Sequence, residues 1–328
     1  MSILYYESHS YNPWENLAVE KYLADRIRPG DVLLYLWQND RTVVLGRNQN
    51  ALRECRGKLL EEEGGYLARR TTGGGAVYHD LGNLCFTFAA DPNLYDLHRQ
   101  MDVVAAACRR FGIETRLSGR NDLITRDGFK FSGNAFSVTK TCQLQHGTIM
   151  IDVNTDMLAR YLTPSREKMK AKGIASVRSR VCNLKTLNPD VTVPAMIQAL
   201  KEAFTQEYGP YEQVPPSCLS VDDADALRQL RDLYASWDWR YGKSPQCEVT
   251  HEHRFDWGEI QIGMTLVNLH IAKCRVYSDC LDTEFPALLE KELRGKYYDL
   301  RDLPLDQSGW QIGRKDMLRD VKKWLETE

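Results

Sequence analysis

The sequence predicts a mixed α+β protein: a large domain on a mixed β-sheet, then a small α+β unit at the C-terminus. Three observations carry that expectation. Segments with strand character come in clusters with helices between them, without the strict βαβ alternation of a doubly wound sheet. Composition shifts near 209–222, where GPYEQVPPSCLSVDD brings three prolines and little apolar periodicity. A new strand-rich pattern opens after YASWDWRYGKSP. The boundary is therefore placed at about 240, giving units of 1–240 and 241–328, the second within the usual size range of a domain.

The elements follow in order. DVLLYLWQNDRTVVLGRNQN (31–50) has two runs rich in Val, Leu and aromatics around polar QNDR, a strand, a turn and a strand. In NLCFTFA (83–89), Leu84, Phe86 and Phe88 alternate with Cys85 and Thr87, the period of a strand. A helix is expected near 97–111, with Met101, Val104, Ala105 and Cys108 on one stripe and Gly112 as its stop. NDLITRDGFKFSGNAF (121–136) predicts a hairpin turned at Asp127–Gly128, a pair that type I′ turns prefer. A strand follows at 147–153, GTIMIDV, and a helix at 194–208, with Pro194 near its start and Met196, Ile197, Leu200 and Phe204 at helical spacing. The C-terminal unit carries strands around 248–280 and a terminal helix near 315–326.

Bulk properties exclude several classes. With 43% hydrophobic and 27% charged residues and a net charge of −2, general polyanion binding is not expected, so no nucleic-acid partner is. MSILYYESHSYNPW lacks the blocks of a signal peptide, and no apolar run approaches the ~18 residues of a membrane span. Nine cysteines, irregularly spaced and without CxxC, point to free thiols in a reducing compartment. The expectation is a soluble, cytoplasmic protein without a membrane partner.

Chemistry concentrates in three stretches. The first is ARRTTGGGAVYHD (68–80). Three glycines before a strand expose backbone N–H groups to an anion or a flat ring, and Arg69 and Arg70 add planar cationic forks. It is neither a P-loop nor GxGxxG. A glycine-rich turn with a solvated arginine pair would explain GGG alone equally well; RRxxGGGxVxHD is far more specific. The second is FKFSGNA (129–135): with Phe129 and Phe131 facing a core, Lys130 stands on the opposite face, with space left by Gly133 and Ala135. An exposed sheet face would account for a lone lysine, but RND (120–122) and QHGT (145–148) add polar residues on adjacent strands. The third, SREKMKAKGIASVRSRVCNLK (165–185), holds Arg166, Lys168, Lys170, Lys172, Arg178, Arg180 and Lys185 against Glu167. It is either a solvated charged face or a segment that closes over phosphates or meets an acidic partner.

Other features carry less. GKS at 242–244 lacks the upstream glycine of a Walker A motif, since position 237 is Trp. His251 and His253 share a strand face without a third metal ligand. Trp237, Trp239 and Tyr241 are expected to pack at the junction of the two units.

With these stretches in order, the chain resembles the lipoate–protein ligase A family, within the biotin/lipoate ligase superfamily, over nearly its whole length. NPWENLAVE (12–20), TVVLGRNQN (42–50), RRTTGGGAVYHDLGN (69–83), GRNDL (119–123) with KFSGNA (130–135), HGTIMIDV (146–153), KGIASVRSRVCNL (172–184), WDWRYGKSP (237–245) and RFDWGEIQI (254–262) carry the likeness. It implies a large mixed-sheet catalytic domain of the biotin/lipoate ligase type and a small accessory domain. The activity it implies is ATP-dependent: (R)-lipoate is converted to lipoyl-AMP and passed to a lysine of lipoyl domains on 2-oxoacid dehydrogenase E2 subunits or the glycine cleavage H protein. Lys130 then matches the family's central lysine, which contacts the lipoyl carbonyl and the α-phosphate. The resemblance assigns ATP and lipoyl-AMP to Arg70, Gly74, Gly75, Ala76, Val77, Tyr78, His79, Asn83, Asp122 and Lys130. It assigns lipoate to Arg69, Thr71, Gly75, Lys130, Gly133, Ala135 and His146. Lys172, Gly173, Ile174, Ala175, Ser176, Val177 and Arg178 match the segment that covers the adenylate. Mg²⁺ is expected with ATP, with Asp122 as a contact. Relatives that only transfer pre-activated lipoyl-AMP, or move octanoyl groups through a cysteine acyl-enzyme, are the alternative. Cys182 and Cys142 are the thiols nearest in position, neither in a Pro-Cys-Gly-like context.

Overall fold

The computed structural model describes residues 2–119, 121–163, 181–214, 221–242, 249–298 and 310–327, with the backbone alone at 221–222. In chain order its strands are β1 (Ser2–Glu7), β2 (Asp31–Trp37), β3 (Thr42–Leu45), β4 (Tyr66–Arg69), β5 (Val77–His79), β6 (Asn83–Ala90) and β7 (Thr115–Ser118). They continue as β8 (Asp122–Thr125), β9 (Lys130–Val138), β10 (Gln143–Met150), β11 (Glu212–Gln213), β12 (Val249–Phe255), β13 (Gly258–Val267) and β14 (His270–Ser278). Among the described residues, eight strands form one mixed sheet in the order β11-β1-β2-β6-β10-β9-β8-β7. A second sheet runs β4-β3-β5, and a third β12-β13-β14. The α+β expectation is met.

The strands at the centre of the large sheet are apolar on both faces because both are covered. Along β2, Val32, Leu34 and Leu36 join one core while Leu33, Tyr35 and Trp37 join the other. Along β6, Leu84, Phe86 and Phe88 oppose Cys85 and Ala89 in the same way. One face packs against the helices Leu97–Arg109 and Val193–Tyr208 through Met101, Val104, Cys108, Met196, Leu200 and Phe204. Asp96 and Thr192 cap these helices by accepting from Arg99 N and Ala195 N, satisfying donors a helix start leaves free. Pro194 sits in the first turn as expected, and Gly112 takes a φ of 72° just past the first helix. The other face meets Leu17 and Ala18 of the helix Pro13–Ala24 and Tyr234 of the helix Val221–Ala235. The third sheet builds its own core with the helices Phe285–Leu293 and Ile312–Leu325. Among the described residues, no helix is long and apolar enough to cross a membrane.

Several local expectations are corrected. The two strands read at 31–50 are both present but lie in different sheets, β2 in the large one and β3 between β4 and β5, the chain passing between them at Arg41, whose φ is 37°. The strand read at 147–153 begins at Gln143, so His146 lies within it. The β8–β9 turn has three residues rather than two: Thr125 N donates to Phe129 O, Gly128 N to Thr125 O, and only Gly128 (φ 88°) takes positive φ. Type I′ would need positive φ at Asp127 as well. Phe129 therefore sits on the exposed turn, and only Phe131 is core.

Candidate active site

A cavity of about 180 Å³ opens between the glycine loop and β9–β10. Its walls come from elements far apart in sequence: Leu17 from the first helix, Trp37 from β2, Val44 from β3, Cys85 from β6 and His146 from β10. Of the residues singled out from the sequence, Arg70, Gly74, Gly75, Ala76, Val77, His79, Lys130, Gly133, Ala135 and His146 line it.

The glycine loop is held from behind by arginine. Arg70 is buried; its Nε donates to Thr72 Oγ1 (3.0 Å) and Gly73 O (3.1 Å), Nη1 to Val44 O (3.2 Å), and Nη2 to Gly73 O (2.6 Å) and Gly75 O (2.9 Å). Burial lowers its pKa to about 10, which leaves it charged near neutrality. The guanidinium shapes the loop and sets a fixed positive charge under it. Gly74 has a φ of 90°, which a side chain would strain, and the same Arg70 Nη2 would lie 2.9 Å from its Cβ. Gly73 is bare for another reason: a Cβ there would lie 2.3 Å from Cys280 O, because the loop after β14 rests on it. Gly74 N donates to that same carbonyl (3.2 Å), while Ser278 N donates to Asn48 O and Asn48 Nδ2 to Thr283 O. The C-terminal unit thus touches the loop that begins the site.

Arg69, which the resemblance assigns to lipoate, is engaged elsewhere. Its side chain is absent from the cavity wall and donates to the carbonyls of Trp239, Arg240, Gly46, Arg47 and Gln49, while Trp239 Nε1 returns a bond to Arg69 O. Trp239 and Tyr241 belong to this junction, with Arg47 stacked over Trp239; Trp237 is largely exposed. Thr71 does not line the cavity, and Thr72 makes the contacts behind it. Tyr78 alternates away from Val77 and His79 and packs against Tyr161, and Asn83 bonds Cys85 Sγ (3.3 Å) outside the wall.

Two histidines have fixed roles on the wall. Asn16 Nδ2 donates to the carbonyls of Ser10 and Gln38 and to Asn39 Oδ1, so Asn39 turns its Nδ2 toward His79 Nδ1 (3.2 Å). That leaves the His79 proton on Nε2. Burial first, then Arg70 and His146, push the His79 pKa down to about 3, so this ring is neutral in use. His146 Nδ1 donates to Glu20 Oε1 (2.8 Å), which also accepts from Thr87 Oγ1 (2.6 Å); Thr72 Oγ1 lies 2.7 Å from His146 Nε2. Glu20 escaped the sequence reading, although Leu17 and Glu20, three apart on a helix, share a face.

Lys130 opens β9 and lines the cavity; its Nζ lies 2.7 Å from Asp122 Oδ1. Gly133 makes room for it, since a Cβ there would lie 3.1 Å from Nζ. Cys182 N donates to Lys130 O (3.0 Å), and Val181 forms a parallel bridge with Lys130. Residues 164–180, and with them Lys172, Gly173, Ile174, Ala175, Ser176, Val177 and Arg178 of the expected covering segment, lie outside the described residues. No group of three or more metal-ligating side chains occurs among the described residues; Asp122 is a single carboxylate beside a lysine. His251 instead bonds Tyr298 OH (2.9 Å), and His253 stacks on Trp324.

Neither cysteine raised as a candidate nucleophile stands in surroundings that favour its thiolate. Cys142 is buried in a core with its pKa raised to about 11 by burial, and burial also raises that of half-buried Cys182. Cys85, the cysteine on the cavity wall, is held in the thiol form for the same reason.

The comparisons with known proteins agree with this geometry. A family model described as the lipoyl protein ligase A/B catalytic domain matches residues 12–205, and one for the bacterial lipoate protein ligase C-terminus matches residues 244–305. Among solved structures, Plasmodium falciparum LipL1 in complex with lipoate superposes with a TM-score of 0.85 at 28% identity, covering 100% of this chain and 99% of that one. A bipartite lipoate protein ligase from Thermoplasma acidophilum, described with its E2 lipoyl domain, gives 0.64 at 28% identity over 76% of this chain and 98% of that one. A lipoate-protein ligase A bound with ATP gives 0.62 at 25% identity over 74% and 98%.

Proposed function

The chain belongs to the lipoyl protein ligase A/B catalytic domain family, and from that premise we propose that it is a complete ATP-dependent lipoate–protein ligase. It forms lipoyl-AMP from lipoate and ATP and transfers the lipoyl group to a lysine of a lipoyl domain. The observation that carries the reading is the position of Lys130: an ammonium on the wall of a largely apolar cavity, across from a glycine loop with a buried guanidinium beneath it. Leu17, Trp37, Val44 and Val77 suit the hydrocarbon chain and dithiolane of lipoate, and Lys130 suits its carboxylate.

In the first step a lipoate carboxylate oxygen attacks the α-phosphorus of ATP. The bond to the bridging oxygen breaks, and pyrophosphate leaves with its electron pair. Two anionic groups must meet, and charge grows on the α-phosphoryl oxygens. A fixed ammonium offsets their repulsion and stabilises that charge, so catalysis is by position and electrostatics rather than by a covalent enzyme intermediate. Were Mg²⁺ to accompany the triphosphate, it would offset part of the phosphate charge, and Asp122 would be the carboxylate to hold it. In the second step the acceptor lysine amine attacks the lipoyl carbonyl, AMP departs, and the amine proton is released as the amide forms. Lys130 polarises the same carbonyl.

ATP–pyrophosphate exchange with and without lipoate, in the absence of acceptor, tests the proposal. Lipoate-dependent exchange is expected. Its absence, with transfer from supplied lipoyl-AMP intact, would make this chain a transferase dependent on an activating partner.

A further inference from the structure

Beside Lys130, with Asn121 and Asn134 on the same cavity wall, lies a set of amides to which the proposed reaction gives no role. Asn134 N and Asn134 Nδ2 both donate to Asn121 O (2.7 and 3.0 Å), and Asn134 O accepts from Asn121 Nδ2 (3.1 Å). With its Nδ2 committed to a backbone carbonyl, Asn134 turns Oδ1 toward Gln145, whose Nε2 donates to it (3.2 Å). Gln145 is wholly buried and Asn134 5% exposed, so the bond between their side chains is shielded from water. Space for the crossing is cut by Gly147, opposite Asn134 in the β9–β10 ladder, where a Cβ would lie 2.3 Å from Asn134 Oδ1.

The clamp closes on the residue that precedes Asp122. Asn121 stands before the start of β8, whose first residue, Asp122, pairs with Ser118 of β7 and Gly133 of β9; the β8–β9 register shifts just beyond, between Leu123 and Ile124, so the Asn121–Asn134 bonds extend the short regular ladder at the end that carries Asp122. We propose that Asn134, supported by Gln145, is a positioning residue: it fixes the Asn121–Asp122 turn, hence the Asp122 carboxylate, and hence the place of the Lys130 ammonium. The proposal rests on the ligase reading in that the reading makes the place of Lys130 matter.

Two readouts test it. The first is the reactivity of Lys130 toward trace acetic anhydride, measured by peptide mass spectrometry against Lys21 and Lys201. In Asn134→Ala and in Gln145→Met, Lys130 labelling is expected to rise severalfold while the ratio of the reference lysines holds. Gln145→Met keeps the volume and removes the donor to Asn134 together with an amide oxygen that has no partner among the described residues, so it reports even if Asn134→Ala does not fold. The second readout is lipoate-dependent exchange: kcat falls about tenfold, the scale of one buried hydrogen bond, with the KM for lipoate changed less than about twofold. Combined with Asp122→Asn, Asn134→Ala adds no further loss, because both act through one pair. Unchanged Lys130 labelling in both variants overturns the proposal. So do losses that multiply with Asp122→Asn, or a raised KM at constant kcat, which would make Asn134 a ligand contact. If labelling rises while the wild type shows no lipoate-dependent exchange, the clamp stands and the ligase reading is what fails.

Discussion

The glycine loop and the start of β9 face each other across one cavity, and each brings a cation, yet the two spend their charge differently. Arg69 and Arg70 donate chiefly to backbone carbonyls, Arg69 to those of residues 46, 47, 49, 239 and 240. Lys130 has one carboxylate partner and a side chain 37% exposed. A cation whose donors are consumed by the chain is architecture, even in a signature motif. A cation held by a single carboxylate remains free to exchange it for a ligand.

The largest expected effect tests the Lys130 half of that contrast. Lys130→Ala should lower kcat/KM for lipoate-dependent exchange by at least about 10²–10³-fold, the cost of removing a preorganised charge from a developing anion. Its melting temperature should stay close to wild type, since the pair it breaks with Asp122 is partly exposed. Near-normal turnover would end the proposed role of this lysine. Arg69→Met should show the opposite pattern. Five carbonyls lose their donor at a buried site, which costs about 3 kcal/mol or more of stability in a urea titration, while kcat per folded molecule holds within severalfold. A loss of kcat without loss of stability would return Arg69 to the ligand side.

These two residues also show what a sequence displays and what it hides. Lys130 was legible because its chemistry is local: period two puts it opposite Phe131, and Gly133 clears its path. The alternation in β6 was legible because large apolar residues recur at every second position when both faces are buried. The partners of Arg69 were not legible, because a sequence displays charge but not the carbonyls that will surround it, here up to 171 residues away. Leu17, Trp37 and Cys85 look like ordinary core until three elements bring them to one wall. The contact of Cys280 O with Gly73 was invisible for the same reason, since it joins two units through backbone alone.

A smaller effect distinguishes the neutral wall from the cationic mouth through pH. His79 titrates near 6.5 when unfolded and near 3 when folded. Between those values the unfolded chain binds the extra proton, so stability is full above about 6.5 and falls as pH drops toward 3, by ~1.4 kcal/mol per pH unit. His79→Gln should flatten the acid limb of the melting temperature between pH 6.5 and 4.5, at some cost in stability at neutral pH. An unchanged slope would mean that another group governs the acid limb.

The smallest expected effect bears on the remaining alternative, a covalent route through cysteine. A thiol serves as nucleophile when its surroundings favour the thiolate, as a nearby cation or helix N-terminus does. Here burial drives Cys142 to about 11 and raises Cys182. Cys182 is also tied through its backbone N to Lys130 O, a contact that its side chain does not make. Cys142→Ala and Cys182→Ala should therefore leave transfer from lipoyl-AMP within about twofold of wild type, since neither removes a charge from the reacting centre. Loss of transfer in Cys182→Ala with exchange intact would reverse the comparison. It would place the acyl group within the basic segment, next to the bridge between Val181 and Lys130, and reduce Lys130 from the centre of both steps to the first alone.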